Sequence, residues 1–229
     1  MKRAFPILAV LTAGLLSYGL YAALRVAPTE QTMGDVQRIF YYHVPSAWTA
    51  FTLFFLNLVA SIVYLVRRNP KADALAFAAA EVGVVFCTVV LVTGPIWARP
   101  VWGIWWTWDL RLTLTLVLWL IYVSYLMLRR FSSSGQTPVM AAVLAVFGAL
   151  DVPLVYFSIW FFRTQHPQPV IGGGGSIDPR MLHVLLINWA AFSCFAALMC
   201  WSRYHLEVLS REVEETQALE SLLEAGSSR

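Results

Sequence analysis

Apolar residues run through this chain in six long blocks, at approximately residues 5–26, 45–66, 74–97, 113–128, 138–160 and 182–202. A helix that crosses a bilayer needs roughly 20 predominantly apolar residues. Each block is read as one such helix, the fourth and shortest borrowing Leu110 to Leu112 from the loop before it. The first block follows Met-Lys-Arg, but it is too long for the apolar core of a signal peptide and no small-x-small cleavage site follows it, so it too is read as a span. The expectation is an all-α integral membrane protein with six transmembrane helices.

The polar connections orient those helices. Of the sixteen Lys and Arg, ten (Lys2, Arg3, Arg67, Arg68, Lys71, Arg129, Arg130, Arg203, Arg211 and Arg229) fall on one side of a six-span arrangement. The positive-inside rule makes that side cytoplasmic and places both termini there. Residues 1–205 then form the membrane domain, and 206–229 a cytoplasmic tail. Between Leu206 and Ala225 the tail carries seven Leu or Val among many Glu, the pattern of an amphipathic helix. The opposite side holds three outer loops, at about 27–44, 98–112 and 161–181, which carry Arg38, Arg99, Arg111, Arg163 and Arg180, with Arg25 just before the first. Arg25 and Arg163 are expected to snorkel to lipid head groups, whereas the other outer arginines suit an anionic ligand.

Composition agrees with the membrane reading. The chain is 59% hydrophobic and 13% charged, with a mean hydropathy of +0.66. A net charge of +3 does not indicate nucleic acid, because the basic residues flank spans rather than forming a stripe. Cys87, Cys194 and Cys200 lie within apolar blocks with no CxxC spacing, so they are packing residues.

The chemistry concentrates in the second outer loop, residues 97–113, WARPVWGIWWTWDLRLT. Five of the ten Trp fall between Trp97 and Trp108. Indoles favour the membrane–water boundary, but a belt is usually spread over several helices. Concentration in one loop favours a flat apolar platform for a planar ligand. The first outer loop can form about two helical turns from Met33 to Tyr42 that lie along the surface. It delivers His43 to the mouth of the second span, with Pro45 in that span's first turn. The third loop contains His166, the run Gly172 to Gly175, and Asp178-Pro179, which caps and starts the last helix. The glycine run lacks a phosphate-loop pattern and reads as linker. Three of the four histidines (His43, His166 and His183) are thus on the outer side, and His205 belongs to the tail. Haem is flat, apolar and dianionic, with iron that takes axial imidazoles. An aromatic face, opposed histidines and arginines are what its binding requires.

The run Trp102-Gly-Ile-Trp105-Trp106-Thr-Trp108-Asp109-Leu-Arg111-Leu-Thr113 resembles the tryptophan-rich WWD signature of the haem-handling proteins of cytochrome c maturation. The six spans and the segment Arg38-Ile-Phe-Tyr-Tyr-His43-Val-Pro-Ser-Ala-Trp48 resemble the CcmC branch of that family. The resemblance covers nearly the whole chain except the glycine linker and the tail. It implies haem b with bis-histidine ligation by His43 and by a histidine in the frame that ends at Ser176-Ile-Asp-Pro179. In this chain that histidine is His166, and His183 lies beyond the frame. Pro167, Pro169 and the four glycines depart from the family's more regular loop. Haem would pack on Trp102, Trp105, Trp106 and Trp108, with Arg38 and Arg111 at the propionates and Asp109 holding Arg111 or meeting a chaperone.

The same resemblance implies delivery of haem, rather than turnover of a substrate, from the periplasmic face of a bacterial inner membrane to the haem chaperone CcmE. CcmA, CcmB and CcmD would be the partners in an ABC-type complex. No Walker motif occurs in this chain, so ATP chemistry falls to a partner. Two other readings stand beside this one: a b-type haem electron-transfer subunit, and a plain permease subunit whose Trp loop only anchors helix ends. Two acids inside spans also need partners or roles. Glu81 is expected to pair with Arg67, Arg68 or Lys71, and Asp151 to line the inner wall of the haem cavity.

Overall fold

The computed structural model describes residues 4–132, 134–162, 166 and 177–227, and its regular elements are all helical. Helix α1 spans Ala4–Tyr21 and ends in a π turn, Ala22–Val26. A 3-10 turn at Asp35–Ile39 leads into α2, Phe40–Arg67, which is followed by α3, Pro70–Trp102, and α4, Leu110–Phe131. Helices α5, Thr137–Ala149, and α6, Asp151–Phe161, form one apolar span with a break between them. Helix α7 runs unbroken from Pro179 to Ser227. Six segments among the described residues are long and apolar enough to cross a membrane: Phe5–Val26, Asp35–Arg67, Pro70–Trp102, Leu110–Phe131, Thr137–Phe161 and Pro179–Ala225. The protein is a multi-pass membrane protein.

Small residues bring the central helices together. Ala74, Ala76, Ala78, Ala79, Ala80 and Gly83 are buried along α3, and Gly83 lies against Phe54 of α2. A Cβ on Gly83 would stand 2.7 Å from the Phe54 ring, and that ring stacks on Tyr122 of α4 at 3.8 Å between centroids. Without water to drive helices together in lipid, such close backbone approach supplies the packing energy. Polar side chains tie the bundle at single points. Asn57 Nδ2 donates to Ala76 O at 2.7 Å, and Asn188 Nδ2 of α7 donates to Gly19 O of α1 at 3.2 Å.

Helix boundaries depart from the sequence expectation in five respects. The second span starts at Phe40, not 45, so Pro45 lies inside α2 and His43 in its first turn. The 3-10 turn consumes the start of the expected surface helix. Helix α3 continues through Trp102 despite Pro95 and Pro100, so Trp97 and Trp102 are helical and the loop proper is only 103–109. Gly103, at φ 80°, adopts the left-handed conformation that ends α3, which glycine does without a Cβ penalty. The fifth span breaks at Leu150, where the missing N–H of Pro153 leaves the Ala149 carbonyl without its helical donor. The tail is the continuation of the sixth span and not a separate element. Caps behave as read: Asp178 Oδ1 accepts from Arg180 N at 2.8 Å, and Pro179 opens α7. The hydrogen bonds from Arg180 hold the Asp178 carboxyl below the ordinary carboxylate range.

At the end of the bundle away from the Trp loop, charges close on one another. Asp73 of α3 receives two bonds from Arg129 of α4, at 2.6 and 2.8 Å, and a third from Arg211 of α7 at 2.7 Å. Glu81 pairs with Arg203 of α7 at 2.8 and 2.9 Å, not with the arginines and lysine of its own hairpin. Lys71, the nearest of those cations on α3, lies about 15 Å down the helix axis from Glu81, and α7 faces Glu81 instead. These pairs hold α4 and the long final helix against α3.

Candidate haem site at the Trp loop

His43 is seated by one stripe of α3. Its Nδ1 lies 2.9 Å from Thr93 Oγ1, and its ring meets Trp97 edge-on at 5.8 Å between centroids. The position a Cβ would take on Gly94 is 3.5 Å from His43 Cε1, so this part of α3 approaches the imidazole closely. Residues 93 and 97 stand four apart and therefore share a helix face. The Trp97 ring also meets Phe40 at 6.2 Å, from the same first turn of α2 as His43. The imidazole is half-buried at this end of the bundle.

Asp109 organises the other half. It caps α4, accepting from Leu112 N at 3.0 Å, and its Oδ2 lies 3.9 Å from His166 Nδ1. The His166 ring stands edge-on to Trp102 at 5.5 Å. A carboxylate beside the Nδ1 of a ligating histidine is the usual outer partner that fixes ring orientation. His166 and Arg111 both lie within electrostatic range of His43, and Asp109 and Tyr156 within that of Arg111. The Trp106 and Trp108 rings meet edge-on at 5.7 Å; Trp105 and Trp108 are exposed, while Trp102 and Trp106 are half-buried.

Of the residues expected from sequence, His43, His166, Trp102, Asp109 and Arg111 gather at the joined ends of α2, α3 and α4. Arg38 has a different setting. Its guanidinium donates to Ala23 O at 2.7 Å, Ala27 O at 3.3 Å and Thr29 Oγ1 at 3.2 Å, and its Nε donates to Asp35 at 3.0 Å. Two of these contacts, to Ala23 O and Ala27 O, tie the first outer loop to the turn that ends α1, and the other two brace the loop itself. Asp109 faces His166 through a direct contact, a role that sequence reading had not assigned to it. His183 is exposed on the first turns of α7. Arg163 and the glycine run 172–175 lie outside the described residues. Asp151 is buried at the start of α6. Thr93, Gly94 and Trp97 complete the seat, and the first two carried no sequence signal, being one small polar residue and one glycine within an apolar block.

The donor set fits a planar, carboxylate-bearing metal macrocycle. It offers imidazole nitrogens for the metal, indole faces for the ring and a guanidinium for an acid group. The indole Nε1 atoms of Trp97 and Trp106 are buried without a hydrogen-bond partner among the described residues, and such donors suit a polar ligand edge.

Fold and site together define a six-span membrane protein with a tryptophan-walled histidine pair at one end of its bundle. The family model CcmC, heme exporter protein C, matches residues 1–219. Heme exporter protein C of Bradyrhizobium diazoefficiens is 36% identical over 99% of this chain and 87% of its own length. The protein of the same description from Escherichia coli K12 is 31% identical over 96% of this chain and 90% of its own. A ccmC-like mitochondrial protein of cytochrome c biosynthesis from Marchantia polymorpha is 32% identical over 78% and 76%. The chain belongs to the CcmC, heme exporter protein C, family.

Proposed function

We propose that this chain holds haem at the Trp-loop end of its bundle and passes it to a partner during cytochrome c maturation. Membership of the family makes haem handling for cytochrome c maturation its role. The observation that carries the site is the convergence of His43, seated on Thr93 and Trp97, with His166, seated on Asp109 and Trp102. Haem is the cargo. His43 and His166 supply the axial imidazoles to haem b, the indoles of Trp102, Trp105, Trp106 and Trp108 pack the porphyrin, and Arg111 takes a propionate. Arg38 shapes the loop that starts α2, and its contribution to the propionates is secondary to that.

In this reading the Trp-loop end faces the periplasm of a bacterial inner membrane, with both termini cytoplasmic. The exposed Trp105 and Trp108 suit a surface where a second protein collects the cargo, and the receiving partner is the haem chaperone CcmE. The family's description as an exporter supports an ABC-type complex, with CcmA, CcmB and CcmD as the other subunits.

The test is the absorption spectrum of the purified protein beside His43→Ala and His166→Ala, with chaperone loading measured in parallel. A bis-histidine haem spectrum that both substitutions disturb, with loading lost in both, supports the reading. Bound haem that never reaches the chaperone points to electron transfer instead. A spectrum insensitive to His166→Ala but lost in His183→Ala moves the second ligand to α7.

A further inference from the structure

Thr93 sits in the middle of an apolar helix, and its hydroxyl has one hydrogen to give. That hydrogen has its acceptors on its own helix: Oγ1 lies 2.6 Å from Val89 O, one turn back on α3, and 3.5 Å from Val90 O. A helical threonine commonly bonds to the i−4 carbonyl in this way. Towards His43 the Thr93 oxygen therefore offers only lone pairs, and it lies 2.9 Å from Nδ1. An imidazole nitrogen with its own lone pair at that distance would be repelled. The contact is stable only when Nδ1 carries the proton, which leaves the lone pair of a neutral ring on Nε2.

We infer that Thr93 is a positioning residue that fixes His43 in its Nδ1–H tautomer and so presents Nε2 as a ready electron-pair donor. The inference rests on the reading of His43 as a haem ligand for its purpose, but the tautomer itself does not depend on haem. Val89 O and Thr93 Oγ1 form a short relay from backbone to ring: carbonyl accepts from hydroxyl, and hydroxyl accepts from imidazole. The backbone of α3 thereby sets the chemistry of a side chain on α2. A hydrogen bond at the distal nitrogen also makes the ligating nitrogen a stronger donor, and outer partners of this kind are worth about 10- to 100-fold in metal affinity. Trp97 and Gly94 hold the ring's plane, and Thr93 decides which nitrogen is available.

The full-length protein, labelled with 15N-histidine and kept free of haem in detergent micelles, gives the first readout. Wild type should show the His43 proton on Nδ1, the resonance being assigned by its loss in His43→Ala. Thr93→Val keeps the shape and removes the oxygen, and should move protonation towards Nε2. Thr93→Ser should restore the wild-type pattern. With haem added, Thr93→Val should weaken retention about tenfold. If that loss falls on the ferric state alone, the potential rises by about 59 mV for one electron.

A wild-type His43 protonated on Nε2 overturns the inference, as does a Thr93→Val protein identical to wild type in tautomer. The wild-type measurement needs no variant, so poor accumulation of Thr93→Val does not remove the test. The two ideas fail separately. If His43→Ala keeps an unaltered haem spectrum, the ligand reading falls whatever the tautomer. If His43→Ala loses the spectrum while Thr93→Val is silent in both readouts, only the role of Thr93 falls.

Discussion

The two ends of this bundle use polar residues in opposite ways. Away from the Trp loop, carboxylates and guanidiniums close on each other: Asp73 with Arg129 and Arg211, Glu81 with Arg203. At the Trp-loop end the side chains are imidazoles and indoles, each ring held from one side by the fold. His43 rests on Thr93 and Trp97, and His166 lies beside Asp109 and Trp102. Closed ion pairs spend their bonding capacity on the scaffold. The His43 ring, gripped at Nδ1 and along one edge, keeps Nε2 for something else. The same helix, α3, carries both arrangements, Asp73 at its start and Thr93 to Trp102 at its finish, so the scaffold end sets the register of the site end.

Breaking the closed end should produce the largest loss of stability. Asp73→Asn leaves the side chain of Arg129, which is 7% exposed, without its ionic partner. Removing one member of a buried pair costs about 3–5 kcal/mol. Denaturation in detergent should show a marked drop in stability, and haem retention should fall only as far as folded protein is lost. A wild-type melting curve would mean that Arg129 and Arg211 find other partners. Gly83→Ala probes the packing beside it. With a new Cβ 2.7 Å from Phe54, overpacking of about 1–3 kcal/mol is expected, read from the same denaturation curves, again without a specific change in the haem spectrum.

The site end should respond in the reverse sense. His43→Ala removes a ring that fills little of the core, so stability should change modestly while haem retention drops by more than about tenfold, beyond what loss of an outer partner costs. Spectral titration and thermal denaturation of the same preparation separate the two effects. Equal losses in both would show that His43 is a structural residue.

Much of this was legible because the signals are local. Six apolar blocks and Asp178 before Pro179 are read from neighbours in the chain, whereas Asp109 as the cap of α4 came from the structure. The early start of α2 was not, since Pro45 suggests a first turn, yet the helix accommodates it in its interior. Nor was the break at Leu150, although Pro153 marks the place in hindsight. Partners across the bundle were the least accessible. Glu81 has three cations near it in sequence and chooses Arg203, 122 residues away, because α3 and α7 bring the two side by side. Thr93 lies 50 residues from His43, and a threonine in an apolar block carries no sign of which ring it meets. Trp102, Trp106 and Asp109 could be selected through the resemblance to the WWD signature, but the contact of Asp109 with His166 came from the fold.

Asp109 is where the two kinds of role meet, and its substitutions sharpen the comparison most finely. As a helix cap it accepts from Leu112 N at 3.0 Å, and as a neighbour of His166 it places a negative charge 3.9 Å from Nδ1. Asparagine is as good a cap as aspartate, whereas alanine costs about 1 kcal/mol. Asp109→Asn should therefore keep the stability of α4 and remove the charge that faces His166 and Arg111, and Asp109→Ala should lose both. The expected pattern is a wild-type melting curve with altered haem affinity for Asp109→Asn, and a small stability loss added to the same haem change for Asp109→Ala. If Asp109→Asn binds haem as wild type does, the carboxylate serves α4 alone and His166 owes its orientation to Trp102. The smallest effect belongs to the far end. Glu81→Gln breaks a pair whose side chains are 27% and 42% exposed, and a partly solvated pair of this kind contributes at most about 1 kcal/mol. A larger loss there, with the haem spectrum disturbed, would mean that α7 transmits strain between the two ends.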